Sequence, residues 1–299
     1  MKNNKIAAVV VTYNKSKLLE ENLSSLLNQT LRLDKIIVID NCSTDNTGSL
    51  LEEYSKKYDA IEYHRLEKNI GGAGGFNTGI KIACKGGYDY IWIMDDDTIP
   101  NSNALEMMVE NKFIKENSNW GYICSNVLWV DNNPCLMNIP APHKIWNDRI
   151  GYGLVRLACT SFVSILIKRS VVEEVGLPIS EFFIWGDDYE YTTRISQKYP
   201  GYMAIDSVVV HKMNKNTDVN IVAEEGSRVD RYYFEFRNKF FIMRNEGKKN
   251  TLHYFLYVLK TIVKVLKSKN DNKKKKIKVI LKGMFHGFRF RPKVEYLEK

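Results

Sequence analysis

The chain has 299 residues, 44% hydrophobic and 12% aromatic, enough to bury the core of one large α/β domain or of a domain with an appendage. Its five cysteines are odd in number and lack a CxxC pair, which argues against a disulfide framework or a structural zinc site and for a reducing compartment. Residues 248–299 carry 16 Lys/Arg against 3 Asp/Glu, whereas residues 1–247 carry 28 against 32; a basic tail on a near-neutral body points to an anionic surface and away from nucleic acid.

In chain order, IAAVVVTYN (6–14) reads as a buried strand, its six apolar residues from Ile6 to Val11 being too few for a signal-peptide core. Leu18, Leu19, Leu23, Leu26 and Leu27 give 15–30 helical spacing. A strand at 35–41, a helix at 43–58 with Thr44 and Thr47 near its cap, and a strand at 61–67 follow. A glycine loop then opens a helix over 71–87, and 90–95 is a fourth strand. This alternation, with strands apolar on both faces, predicts a mostly parallel sheet covered by helices. Beyond residue 100 the pattern loosens. A helix is expected near 102–117, a strand at 120–130, a Pro- and Asn-rich loop, and a strand leading into a short helix over 159–176. A loop then leads into a helix over 181–200, and a last strand covers 202–213.

In open α/β sheets, ligands sit beyond the carboxyl ends of the strands. Thr12, Asp40, Asn69 and Asp95 each end or follow a strand, so parallel neighbours would bring all four to one rim. There the run Asp95-Asp96-Asp97 crowds three negative charges whose repulsion and desolvation must be offset. A solvated turn is one reading. A calcium loop of the EF-hand type fails, because its fifth and sixth positions here are Ile99 and Pro100. The third reading is a divalent cation held by Asp95 and Asp97, with hard oxygen ligands suited to Mg²⁺ or Mn²⁺. The glycines of NIGGAGGFNTG (69–79) do not form the dinucleotide fingerprint, since Asn77 occupies the third glycine position; close backbone approach to a ligand stays open. FFIWGDDYEY (182–191) sets Asp187, Asp188 and Glu190 among aromatics. It reads either as a helix start favoured by acids or as a general base beside a sugar-stacking platform, with Arg194 one turn on. His211 ends the last strand and is either structural or a third metal ligand.

Taken in order, VVVTYNK, VIDNCSTDNT, NIGGAGGFNTG, MDDDT, WGDDYEYTTR and VVVHKM resemble the family 2 glycosyltransferases over about residues 6–213. The resemblance implies the GT-A fold, a nucleotide-sugar donor and transfer with inversion. It implies that Thr12, Asn14 and Asp40 cradle the nucleoside, and that Asn69, Gly71 and Gly72 face the donor. Asp95, Asp97 and His211 would hold Mn²⁺ or Mg²⁺, with Asp96 at the sugar. Asp188 would be the base, with Trp185 and Asp187 touching donor or acceptor. Among members, the segments look most like bacterial galactofuranosyltransferases, which use UDP-galactofuranose, and next like rhamnosyltransferases using dTDP-rhamnose. Gly186 stands where a bulkier residue is usual, which leaves the acceptor, a saccharide in bacterial surface polysaccharide synthesis, undefined. A non-catalytic nucleotide-sugar or glycan-binding module is the alternative from another class, and intact Asp95, Asp97, Asp188 and His211 argue against it.

These readings divide the chain into a GT-A catalytic domain at 1–247 and a basic helical region at 248–299. In LHYFLYVLKTIVKVLKS (252–268) the longest unbroken apolar run is six residues, Tyr254 to Leu259, against about 20 needed to span a bilayer. The region is expected to pack on the catalytic domain, to contact a second subunit, or to lie on a membrane with the lysines of 273–276 near anionic lipid. A peripheral enzyme at the inner face of the cell membrane, extending a lipid-linked saccharide, would use the last arrangement.

Overall fold

The computed structural model describes residues 4–270 and 272–298. Its first part alternates β1 (Ile6–Thr12), α1 (Ser16–Leu27), β2 (Lys35–Asp40), α2 (Thr47–Lys57), β3 (Ile61–Arg65), α3 (Gly71–Lys85) and β4 (Tyr90–Asp95). Then come β5 (Thr98–Pro100), α4 (Ala104–Val109), α5 (Lys112–Glu116), β6 (Tyr122–Leu128), β7 (Ala141–Pro142), β8 (Leu154–Cys159), β9 (Ile165–Lys168), α6 (Arg169–Val175), α7 (Asp187–Ser196) and β10 (Gly201–His211). Three helices close the chain: α8 (Tyr232–Asn245), α9 (Lys248–Lys267) and α10 (Lys273–Arg289).

One sheet runs in the order β3-β2-β1-β4-β9-β6-β10-β8-β7, with β5 paired to β10. The expectation of a mostly parallel sheet holds for β3-β2-β1-β4 and for β6 with β10; β9, β8, β7 and β5 pair antiparallel, so the whole is mixed. Strand β1 is buried on both faces. Ile6, Ala8 and Val10 join α1 and α4 in one core, while Ala7, Val9 and Val11 join α3, α6 and α7 in the other.

Three local expectations are corrected. The glycine stretch is not a loop: Gly71–Gly75 are the first turns of α3, and a side chain on Gly75 would collide with Val11 of β1, so small residues let the helix lie close on the sheet. The expected helix near 102–117 is two short ones, broken where the Asn111 side chain accepts from the Phe113 N–H and caps α5. The helix expected from residue 43 starts at Thr47, whose N–H donates to the Asp45 carboxylate at 3.1 Å.

The C-terminal helices share a core of their own. Phe236 and Phe240 of α8 pack with Tyr254 and Val258 of α9 and Ile280 of α10, so this helical unit already includes α8, ahead of residue 248.

Candidate active site

Sheet register assembles the rim. Thr12 lies opposite Asp40 and Val11 opposite Asp95, so the carboxyl ends of β1, β2 and β4 come side by side, with Asn69 following β3. Asp96 and Asp97 then form the turn into β5, which pairs antiparallel with β10 and sets Thr98 opposite His211. That short strand, unseen in the sequence because it is three residues long and contains proline, is what brings residues 114 positions apart together. His211 Nε2 lies 3.0 Å from Asp97 Oδ1, and Asp95, Asp97 and His211 each offer a ligand atom within 4.8 Å of the other two. Two carboxylates and an imidazole fit Mn²⁺ or Mg²⁺.

A cation already serves these acids. Lys15 Nζ lies 2.6 Å from Asp97 Oδ2 and 3.3 Å from Asp96 Oδ1. Burial works against the ammonium, but Asp96 and Asp97 outweigh it and hold the Lys15 pKa above the usual value. Sequence reasoning passed over Lys15, although a lysine directly after a strand end at this rim was a usable signal. The three acids differ. Burial, reinforced by the Asp97 charge, pushes Asp95 up to about 7. Burial also pushes Asp96 up to about 6, offset in part by Lys15. At Asp97 burial is overcome by the hydrogen bond and charge of His211 and by Lys15, so its pKa falls below the usual range. Burial would lower His211, but the bond to Asp97 dominates and raises it to about 10.

On its other side, His211 Nδ1 lies 2.8 Å from Asn138 Oδ1, and Asn138 Nδ2 donates to Ser161 Oγ at 3.0 Å. An N–H on Nδ1 directed at an acceptor leaves Nε2 to face the acids, the orientation a ligand needs. Asn138 sits in a short 3₁₀ turn within the loop before β7 and carries no local sequence signal.

The other expected rim residues are engaged within the protein. Asp96 accepts from Thr12 Oγ1 at 2.7 Å, so the Thr12 hydroxyl is turned to the acid. Asp40 is fully buried and accepts from the Ser43 N–H and the Tyr63 hydroxyl. Asn14 Oδ1 accepts from the Thr44 N–H at 2.7 Å, and Asn69 Oδ1 from the Gly71 N–H at 2.8 Å, which starts α3.

Asp187 and Asp188 open α7, after Gly186 at φ 85°. Arg194 pairs with Glu190 at 2.9 Å and leaves the two aspartates to their surroundings. Burial, with the Asp188 charge, raises Asp187 well above the ordinary value; burial also raises Asp188, moderated by the Tyr189 N–H. The preceding backbone is strained. Phe183 (φ 65°) and Trp185 (φ 63°) are left-handed, and the Ile184 N–H closes a γ-turn on the Phe182 carbonyl at 2.7 Å. Asn238 of α8, almost fully buried, holds this segment by donating to the carbonyls of Phe182, Ile184 and Trp185 at 2.8–3.1 Å. On the opposite side Gly71 (φ 76°) admits the Phe183 carbonyl, with which any side chain there would collide. Nothing in YYFEFRNKFF marks Asn238 as different from a solvent-facing helical asparagine.

A cleft of about 600 Å³ joins these parts. Asp95 and His211 line it together with Trp185 and Asp188 and with Glu235 and Lys239 of α8. It can hold a cation-bound anion beside a carboxylate of raised proton affinity.

Residues 7–129 match the Glycosyl transferase family 2 profile. An uncharacterized glycosyltransferase, MJ1057, from Methanocaldococcus jannaschii is 25% identical over 93% of this chain and 97% of its own length. The galactofuranosyltransferase GlfT1 of Mycolicibacterium smegmatis is 26% identical over 81% and 82%. Among solved structures, S. aureus TarS 1–349 in complex with UDP-GlcNAc superposes with a TM-score of 0.55, at 18% identity over 94% of this chain and 73% of that one. The mannosyltransferase PcManGT from Pyrobaculum calidifontis, in complex with GDP-Man and Mn²⁺, gives 0.57 at 15% identity over 95% and 87%. Residues 7–129 are therefore a glycosyltransferase family 2 domain, and the chain is a glycosyltransferase with the GT-A fold.

Proposed function

We propose that the protein is a metal-dependent inverting glycosyltransferase that moves galactofuranose from UDP-galactofuranose onto a saccharide acceptor in surface polysaccharide synthesis. The observation that carries this reading is that Asp188 lines one cleft with Asp95 and His211, two members of the Asp95–Asp97–His211 group. Asp95, Asp97 and His211 would hold Mn²⁺ or Mg²⁺, which supplies positive charge to the departing diphosphate. Asp188 takes the proton of the acceptor hydroxyl while that oxygen bonds to the anomeric carbon. The bond from that carbon to the diphosphate oxygen breaks on the opposite face, its electron pair leaves with the nucleoside diphosphate, and the configuration inverts. Burial of Asp188 suits this role, because a carboxylate of raised pKa is a stronger base.

Thr12, Asn14 and Asp40 would frame the nucleoside, and Asn69, Gly71, Gly72 and Asp96 the rest of the donor. Trp185 and Asp187 would meet the sugar or the acceptor. The galactofuranose choice draws on the GlfT1 relatives at about 25% identity. Divalent dependence draws on the Asp-Asp-His group and on the Mn²⁺ carried by PcManGT.

The test is a panel of nucleotide sugars with Mn²⁺, scored for transfer and for protection against thermal unfolding. UDP-galactofuranose should give the largest effect, whereas preference for dTDP-rhamnose would overturn the donor. Asp188→Asn should lower turnover by about 10²–10⁴-fold, the usual share of a general base, while donor binding persists; undiminished turnover would remove Asp188 from the role.

A further inference from the structure

Helices α9 and α10 each bury one face and leave another apolar face uncovered. On α9, Tyr254, Val258, Thr261 and Val265 turn inward. Leu252, Leu256, Leu259, Val263 and Leu266, three or four residues apart, form a second stripe that is 40–60% exposed. Next to it round the helix stand Lys249, Lys260, Lys264 and Lys267, all exposed. Across the stripe, Phe255 meets Phe288 of α10 with ring centroids 6.1 Å apart, and Phe285 is 61% exposed, so the apolar surface spans both helices. Lys274, Lys278, Lys282 and Arg289 are exposed on α10, and neither helix contains an Asp or Glu. Among the described residues, no helix is long and apolar enough to cross a membrane.

We propose that this two-helix face docks onto an anionic lipid surface, its leucines and phenylalanines entering the boundary between headgroups and acyl chains while the lysines neutralise headgroup charge. An apolar stripe bordered by lysines and free of acids has the charge pattern of an interfacial helix. The same pattern disfavours a second copy of the chain as occupant, because a two-fold contact would bring lysine rows against one another. The inference concerns where the enzyme sits and does not depend on which sugar it transfers.

The test uses the full chain with vesicles of phosphatidylglycerol and phosphatidylcholine, or of phosphatidylcholine alone, in a co-sedimentation assay, with light scattering for oligomeric state. Binding should require phosphatidylglycerol and weaken with salt, each lysine near the surface being worth about 1 kcal/mol. Leu256→Glu with Leu259→Glu should cut vesicle partition by at least about tenfold. Because both positions are exposed, the thermal melt and transfer to a soluble acceptor should stay unchanged. Lys260→Gln with Lys264→Gln should weaken the phosphatidylglycerol preference by at least about tenfold. No binding to either vesicle, or equal binding by the Leu256→Glu, Leu259→Glu variant, overturns the proposal. So does a stable dimer that this variant dissolves without any vesicle binding in the parent. A chain that binds vesicles but transfers no sugar would keep this proposal and defeat the catalytic one.

Discussion

The acidic rim, through Asp95 and His211, and the Phe182–Asp188 segment, through Ile184 to Asp188, line the same cleft but are held in place by different means. At the rim, position follows from register: Thr12 against Asp40, Val11 against Asp95 and Thr98 against His211 are fixed by strand pairing spread over many backbone bonds. The segment that presents Trp185 and Asp188 has no such ladder. It carries left-handed Phe183 and Trp185, each costing about 1–3 kcal/mol, and three of its carbonyls converge on one amide, that of Asn238. Distributed support should tolerate single side-chain changes, whereas a single clamp should not. The clamp also ties the candidate base to α8, and through α8 to the C-terminal helical core.

The largest effect should come from the clamp. Asn238→Leu leaves the Ile184 and Trp185 carbonyls without their donor, while Phe182 keeps the Ile184 N–H and Arg237, so turnover should fall by about 100-fold or more and stability by about 1–3 kcal/mol. Calorimetry and single-turnover kinetics would measure both. Near-normal turnover would place the base's support elsewhere.

Next in size is the support behind His211. Asn138→Leu should weaken Mn²⁺ binding by about 10–100-fold, read by electron paramagnetic resonance of free Mn²⁺. Asn138→Asp, which still accepts from Nδ1, should restore most of it. Equal loss in both variants would mean that the turn, not the acceptor, matters.

A pH profile taken at saturating Mn²⁺, which competes with protons for Asp95 and Asp97, tests the base. Burial raises the Asp188 pKa, and a base works only when deprotonated, so kcat/KM should fall as pH drops through a value above the ordinary carboxylate range. Below that point the loss should be about tenfold per pH unit. A limb at the ordinary carboxylate value would argue for a solvated Asp188.

The smallest effect is expected at the rim itself. Thr12→Val removes one donor from Asp96, which keeps the Tyr13 N–H and Lys15, so a loss of about 1 kcal/mol in stability is expected by chemical denaturation. A loss as large as that of Asn238→Leu would erase the contrast between the two regions.

What could be read in the sequence follows the same division. Asp95 to Asp97 and Asp187 to Asp188 are local runs of charge at the ends of apolar stretches, and their cost of desolvation makes them visible. The parallel half of the sheet was legible because its strands are apolar on both faces. Asn238 and Asn138 were not, since each has an ordinary local context and acquires meaning only through partners 53 and 73 residues away, whereas Lys15 left a usable signal in its place after a strand end. Strands β5, β7 and β8 escaped for a related reason: two are short and contain proline, and β8 follows a long irregular loop whose pairing with β10 leaves no periodic trace. The glycines of α3 misled because helix–sheet contact demands small residues as strongly as ligand approach does.

The anomeric configuration of the product, read by NMR after transfer in Mn²⁺ by the parent enzyme and by Asp188→Asn, tests the central claim most directly. Direct displacement with Asp188 as base requires a product of configuration opposite to the donor, formed by the parent and at most in traces by the variant. A product that keeps the donor's configuration, or forms as fast in the variant, would contradict it.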